Sequence, residues 1–424
     1  VLGAAVMFFE LPSSELLARA FIGARAWNER RLAPAPAAAA PLHRAPKTNI
    51  DKPGQTFDGF TLYACASMTT ASDQVFLINM RYELVHRWRI AFSQVWPNPP
   101  HVPDGVKDAL VGIYGCHLYP NGDLLVVFLS LEDSARGYGL ARLDKDSNVL
   151  WKYAANVHHD VDVGEDGTIY AIAQDWLDSR PRGLESVPPP WLVDYLVMLS
   201  PEGKELRKPI PILDSLWKSP YAPLLSGLEK PREQLAPEAS TAQRFDALTR
   251  KQDVLHTNSV KVLRRELAPR FPGLKAGQVL ISVRSLDAIA VLDPATEEVV
   301  WAARGPWRAQ HDAQFLANGR LLIFDNLGSP GGSRVLEYDP RTQAFPWSHP
   351  GATGAPFFTS VRGMSQRLPN GNTLIVNSEG WEIREVSPRN EVVWSCGTHG
   401  FVSTGRRYAA AELDFVKGSH RPRP

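Results

Sequence analysis

Ala317-Asn318-Gly319-Arg320-Leu321-Leu322-Ile323 reads as a turn running into an apolar strand. The unit continues through Val335-Leu336-Glu337-Tyr338-Asp339 and closes on Phe345-Pro346-Trp347. The same phrase runs from Pro120-Asn121-Gly122-Asp123-Leu124 to Trp151, and from Pro369-Asn370-Gly371-Asn372-Thr373 to Trp394. A fourth copy starts at Glu165-Asp166-Gly167 and a fifth runs from Gln278-Val279-Leu280-Ile281 to Trp301. A degenerate first copy spans Gln74 to Trp88. Asn-Gly and Asp-Gly supply the positive φ that tight hairpins require. The alternating, β-branched runs suit strands half buried between stacked sheets. Four-strand units at this period predict a β-propeller. About six units predict six blades, closed by pairing strands from the two chain ends, which removes exposed edges. A seventh blade would require that the segment from Arg407 through Phe415 supply more than a closing strand.

The expected fold class is all-β: a six-bladed β-propeller with an N-terminal membrane-proximal helix and a helical/loop insertion. Residues 57–424 would form the propeller, with the insertion at about 207–253, where prolines and the charged run Glu229-Lys230-Pro231-Arg232-Glu233 interrupt the repeat. Compact domains seldom carry long idle loops, so a lid over the channel mouth and a surface excursion both remain open. Residues 33–56 have the Ala/Pro-rich composition of a linker. Residues 1–32 are expected to be helical and to hold the domain at a membrane. The apolar run Val1 to Phe9 is too short to span a bilayer alone, since about 20 apolar residues are needed. A plain amphipathic helix is the other reading of that segment. An anchor followed by a linker implies a periplasmic or otherwise extracytoplasmic domain held at the inner membrane.

The formal net charge is +1, without the basic stripe of a nucleic-acid binder. The three cysteines, Cys65, Cys116 and Cys396, include no CxxC pair, which argues against a thiolate zinc site and leaves one disulfide open.

Chemistry is concentrated in three fragments: His158-His159-Asp160, His256-Thr257-Asn258 and Gln310-His311-Asp312. Each precedes an apolar, strand-like run. His159 and His311 stand eight residues before the turn glycines Gly167 and Gly319, and the same count from Gly122 reaches Tyr114. From Gly371 it reaches Gly363, beside Arg362. In a propeller these positions lie at one mouth of the central channel. Arg284 sits between two strand-like runs, and Asn258 shares a strand face with His256. Guanidinium forks and imidazoles with no carboxylate ligand favour an anionic substrate. Alternation would turn Asp160 and Asp312 away from the channel. Three imidazoles alone would also suit zinc or copper, so a metal centre remains the competing reading.

These three fragments, taken with Ser282-Val283-Arg284 and in their order along the chain, resemble bacterial arylsulfate sulfotransferases. The resemblance covers most of the chain from Phe60 onward. It implies a six-bladed, exported propeller that moves a sulfuryl group from an aryl sulfate ester to a phenol or alcohol, with no nucleotide sulfate donor, metal or other cofactor. It makes His311 the histidine that takes the sulfuryl group. His159 and His256 become the flanking catalytic imidazoles, and Arg284 offsets charge on the sulfuryl oxygens. Asn258, Arg362, His158 and Tyr114 are the expected substrate-binding residues. The partners implied are the small-molecule donor and acceptor, a membrane through the N-terminal segment, and a membrane-protein complex. A non-catalytic propeller subunit of such a complex is the alternative.

Overall fold

The structure is a computed structural model that describes residues 49–66, 73–102, 106–130, 137–178, 191–225, 228, 253–329, 332–350 and 354–417. The expected N-terminal helix, nearly all of the linker and most of the insertion lie outside these residues. No helix among the described residues is long and apolar enough to cross a membrane.

Six antiparallel sheets follow one another along the chain. Blade 2 runs outward from Val111–Leu118 through Leu124–Ser130 and Gly137–Leu143 to Val149–Tyr153. Blade 3 starts with Val157–Val163, blade 4 with Thr257–Val262, blade 5 with His311–Phe315 and blade 6 with Met364–Arg367. The inner strand of blade 1 is Phe401–Tyr408, from the C-terminal end, paired with Phe60–Ala66. Ile50–Asp51 also adds a fifth strand to blade 6 by pairing with Val392–Gly397. The ring is thus closed twice, and Phe401–Tyr408 completes a blade rather than beginning a seventh. In the insertion, the helix Ile212–Lys218 packs Ile212, Leu213 and Leu216 into the core shared by blades 3 and 4.

The repeated turn is a variant of the one expected. The amide of Gly319 donates to Leu316 O at 3.0 Å, and that of Gly371 to Leu368 O at 2.9 Å. Only the glycine of each Asn-Gly pair has positive φ (79° and 87°). These are four-residue turns with a left-handed glycine, not two-residue loops with two left-handed positions. Asn318 and Asn370 instead accept from the amide two residues on, at 3.1 Å each.

The recurring tryptophans have a common task. Trp88 in blade 1 donates its indole N–H to Gly122 O of blade 2. Trp151 of blade 2 reaches Pro201 O of blade 3, Trp347 of blade 5 reaches Pro388 O of blade 6, and Trp394 of blade 6 reaches Met80 O of blade 1. An outer-strand indole buries its rings against the next blade and satisfies its one donor there. This explains why Trp ends the sequence unit. Cys65, Cys116 and Cys396 are all buried and free.

Candidate functional site

Five of the six inner strands, all but that of blade 6, carry a register break at the channel mouth. Tyr114 is the extra residue between Ile113 and Gly115, and Asn258 between Thr257 and Ser259. His159-Asp160 and Asp312-Ala313 fall in the corresponding breaks of blades 3 and 5, and Ser403 in that of blade 1. A bulge bends a strand and re-aims its side chains. The backbone here is also left-handed at His159 (φ 59°), His256 (50°), Asp312 (48°) and Arg362 (59°), a conformation costly for residues with a Cβ. Strain of this kind at matched positions in several blades marks the mouth as the functional end.

The three expected imidazoles meet. The His159 ring lies 5.1 Å from that of His256 and 6.4 Å from that of His311. His159 and His311 are buried; the His256 side chain keeps 21% exposure. Burial drives the basicity of His159 and His311 well below the ordinary imidazole value, reinforced for His311 by the Arg284 charge. For His256 burial also lowers it, but the Asp253 carboxylate opposes the drop. Arg284 acts on both His256 and His311, which places its charge at the cluster.

His311 has a defined tautomer. Its Nδ1 faces two acceptors, Ala309 O at 3.0 Å and Asn326 Oδ1 at 2.8 Å. The Asn326 amide cannot be turned round, because its Nδ2 donates to Thr359 O and Arg362 O. Nδ1 therefore carries the proton and Nε2 keeps its lone pair. His256 is held similarly, with Nδ1 2.5 Å from Asp253 Oδ2. Asp253 and Asn326 were not anticipated from sequence. A carboxylate three residues before His256 is a local signal. Asn326 stands on the neighbouring strand, and only the register exposes it.

Four expectations change in detail. His158 is fully buried behind His159, with their Nδ1 atoms 2.5 Å apart, and is no wall for a substrate. Arg362 is a brace: its guanidinium donates to Ser403 O, His159 O and Tyr114 O, tying blade 6 to blades 1, 3 and 2. The Asn258 Nδ2 donates to Gln310 O at 2.8 Å, leaving Oδ1 as its unused buried atom. Asp160 and Asp312 do not point outward, because the bulges upset strict alternation. They flank the buried Lys261, which bonds to Asp160 and lies 3.6 Å from Asp312. Asp160 also accepts from Val260 N of blade 4, and Asp312 from Ser365 N of blade 6. Tyr114 stays near the mouth, its ring 6.5 Å from that of His159 and beneath Arg362.

Asp160, Asn258, His311, Asp312 and Arg362 line a small axial cavity. A larger cleft lies at the turn end of blades 4 and 5, between Phe271, Trp301 and Phe315. It contains no imidazole, so the chemistry belongs to the smaller, axial space. No group of three His, Cys, Asp or Glu among the described residues has the geometry to hold a metal ion.

The fold and site define a six-bladed propeller with an axial cluster of three histidines beside an arginine. The model of the arylsulfotransferase (ASST) family matches residues 117–399, more than half of the chain, and the chain belongs to that family. No curated protein matches it. Among solved structures, a protein of unknown function from Bacteroides caccae has a TM-score of 0.50 at 11% identity, over 82% of this chain and 98% of that one. That likeness shows the propeller fold. A streptogramin B lyase structure has a TM-score of 0.40 at 9% identity, over 81% of this chain and 85% of that one.

Proposed function

We propose that this chain is an aryl-sulfate sulfotransferase that works by double displacement through His311, without a nucleotide sulfate donor. The observation that carries the reading is the fixed tautomer of His311, whose Nε2 lone pair is left free within a cluster of two further imidazoles and Arg284. A neutral imidazole is the nucleophile this chemistry needs. His311 Nε2 attacks sulfur; the N–S bond forms, the S–O(aryl) bond breaks, and the phenolate leaves. The Arg284 guanidinium offsets charge growing on the sulfuryl oxygens. An acceptor phenol or alcohol then gives its proton to a histidine while its oxygen attacks sulfur, and the N–S bond breaks. Tyr114 offers an aromatic face at the mouth for an aryl group. Placement outside the cytoplasm, held at a membrane by residues 1–32 and in a membrane-protein complex, belongs to the same proposal. It is supported by the apolar Val1 to Phe9 run and the Ala/Pro linker.

The test is incubation with a chromogenic aryl sulfate, followed by mass spectrometry of the peptide bearing His311. A sulfuryl adduct on His311 is expected, with none in His311→Ala and ping-pong kinetics overall. Phenol release without an adduct at His311 would rule out this nucleophile.

A further inference from the structure

We propose that Asp194 and His158 form a positioning pair that holds His159 with its Nε2 lone pair free for the acceptor hydroxyl, making His159 the base of the second half-reaction. The base assignment rests on the function proposed above; the tautomer assignment stands on geometry alone.

Two imidazole nitrogens 2.5 Å apart must share one proton, since two lone pairs or two N–H groups would repel at that distance. There are two neutral arrangements. In one, His158 Nδ1–H donates to His159, and His158 Nε2 turns a lone pair toward Asp194. In the other, His159 Nδ1–H donates, and His158 Nε2 carries its proton toward Asp194. His158 Nε2 lies 3.5 Å from Asp194 Oδ1, an ion-pair separation without hydrogen-bond geometry. Both side chains are fully buried, so the carboxylate acts through little screening. A lone pair facing a carboxylate is repelled and an N–H is attracted, which selects the second arrangement. His159 then keeps its lone pair on Nε2, at the far side of the ring from His158.

Asp194 is itself held. It accepts Thr257 N at 2.7 Å, next to His256, and Gln174 Nε2 at 3.1 Å. The same Gln174 amide reaches Asp253, the partner of His256, at 3.5 Å. One buried network therefore stands behind both flanking histidines. The groups that bear most on the His159 ring are His158, His256, His311 and Arg362, with the Tyr114 ring beside it, and none of them is a carboxylate. Through His158, a positive charge arriving on His159 is met by the Asp194 carboxylate.

The acceptor O–H bond breaks and a His159 Nε2–H bond forms. The His159 Nδ1 proton passes to His158 Nδ1, so the positive charge settles beside Asp194. The acceptor oxygen bonds to sulfur, and the N–S bond to His311 breaks.

The experiment uses the full chain labelled with ¹⁵N-histidine, comparing wild type, Asp194→Asn and His158→Phe. In resting wild type, His159 is expected as the Nδ1–H tautomer, and Asp194→Asn should mix its two tautomers. In rapid-quench assays, Asp194→Asn should load His311 from the aryl sulfate at the wild-type rate. It should then discharge to a phenol at least about tenfold more slowly, short of the roughly 10²–10⁴-fold effect of losing a general base outright. Its acid limb should move to lower pH, because the carboxylate no longer supports the cation. His158→Phe should do the same to discharge. An Nε2–H tautomer in wild type overturns the proposal, as do discharge rates and pH limbs unmoved in both variants. If His311 never gains a sulfuryl group, the enzymatic reading fails while the tautomer measurement still decides the positioning pair.

Discussion

Asn326 Oδ1 accepts the Nδ1 proton of His311 at 2.8 Å, and its own Nδ2 is committed to two backbone carbonyls. Asn326 thus orients the nucleophile as a carboxylate orients the histidine of a hydrolase triad, but without adding a charge that would raise its basicity. Asn326→Leu should leave the His311 tautomer less defined. We expect sulfuryl loading of His311 to slow by about 10- to 100-fold, with little change in donor KM, since orientation rather than binding is lost. Asn326→Asp should favour protonated His311 and slow loading at neutral pH. Rapid-quench loading rates at several pH values check both, and equal rates in all three proteins would remove the orienting role.

Arg284 reports on charge rather than packing. A lysine keeps the charge but loses the planar fork that matches sulfuryl oxygens. Arg284→Lys should lower kcat/KM for the donor by about 100-fold, a size typical for loss of one oxyanion-stabilising group. The His311 pH limb should stay where it is, because the positive charge that depresses His311 remains. Arg284→Gln should also raise the basicity of His311 and move its acid limb to higher pH.

Lys261 sits on the axis between two carboxylates that stitch blades together. Breaking such a pair leaves uncompensated charge, whereas replacing all its members does not. Lys261→Met should cost about 3–5 kcal/mol of stability. Asp160→Asn and Asp312→Asn added to it should restore much of that loss. Urea unfolding of the single and triple variants tests this, and additive losses would contradict it.

The architecture was legible because it is repeated. Turn glycines, strand alternation and terminal tryptophans each recur, so one unit corroborates the next, and the count of six follows. The meeting of His159, His256 and His311 was legible for the same reason: equal spacing from equivalent turns puts residues at one end of a ring. The orientation of individual side chains was not. The bulges at Tyr114, His159, Asn258, Asp312 and Ser403 break the regular alternation of five inner strands. Alternation therefore misassigned Asp160 and Asp312, and a count of spacings could not tell that Arg362 spends its guanidinium on carbonyls. Asn326, Asp194 and Gln174 come from second and third strands, whose facing partners depend on register.

Trp88 is fully buried, and its indole N–H bonds to Gly122 O of the next blade at 3.2 Å. Trp88→Phe keeps most of the apolar area but leaves that carbonyl without its donor and opens a small void. We expect a loss of about 1–3 kcal/mol, the cost of an unmade buried hydrogen bond. Catalysis should be unaffected in the folded fraction, because the substitution lies at the blade 1–blade 2 joint. A shift in the urea midpoint with unchanged m-value and kcat would match this expectation.

Acid should destabilise the fold before it protonates most carboxylates. His159, His311 and His349 are buried, and each is held below the ordinary value of 6.5, His349 at about 4, chiefly by burial. A histidine depressed in the folded state binds its proton more readily when unfolded. Its contribution is therefore complete above pH 6.5 and is lost as pH falls from there toward the folded value. The limiting slope is about 1.4 kcal/mol per pH unit for each histidine. Asp312 and Asp325 work in the opposite direction: burial raises each carboxyl, so their share weakens as pH climbs from about 4, the ordinary aspartate value. With His101, His117 and His256, which burial also lowers, these histidines outweigh the two aspartates between pH 6.5 and 5. Stability from urea titrations should hence be flat from pH 8 to 7 and fall steadily below 6.5. His349→Gln should make that fall shallower, since one proton fewer is taken up on unfolding. A stability that stays level down to pH 5 would mean that these imidazoles reach solvent or find counter-ions in the folded protein.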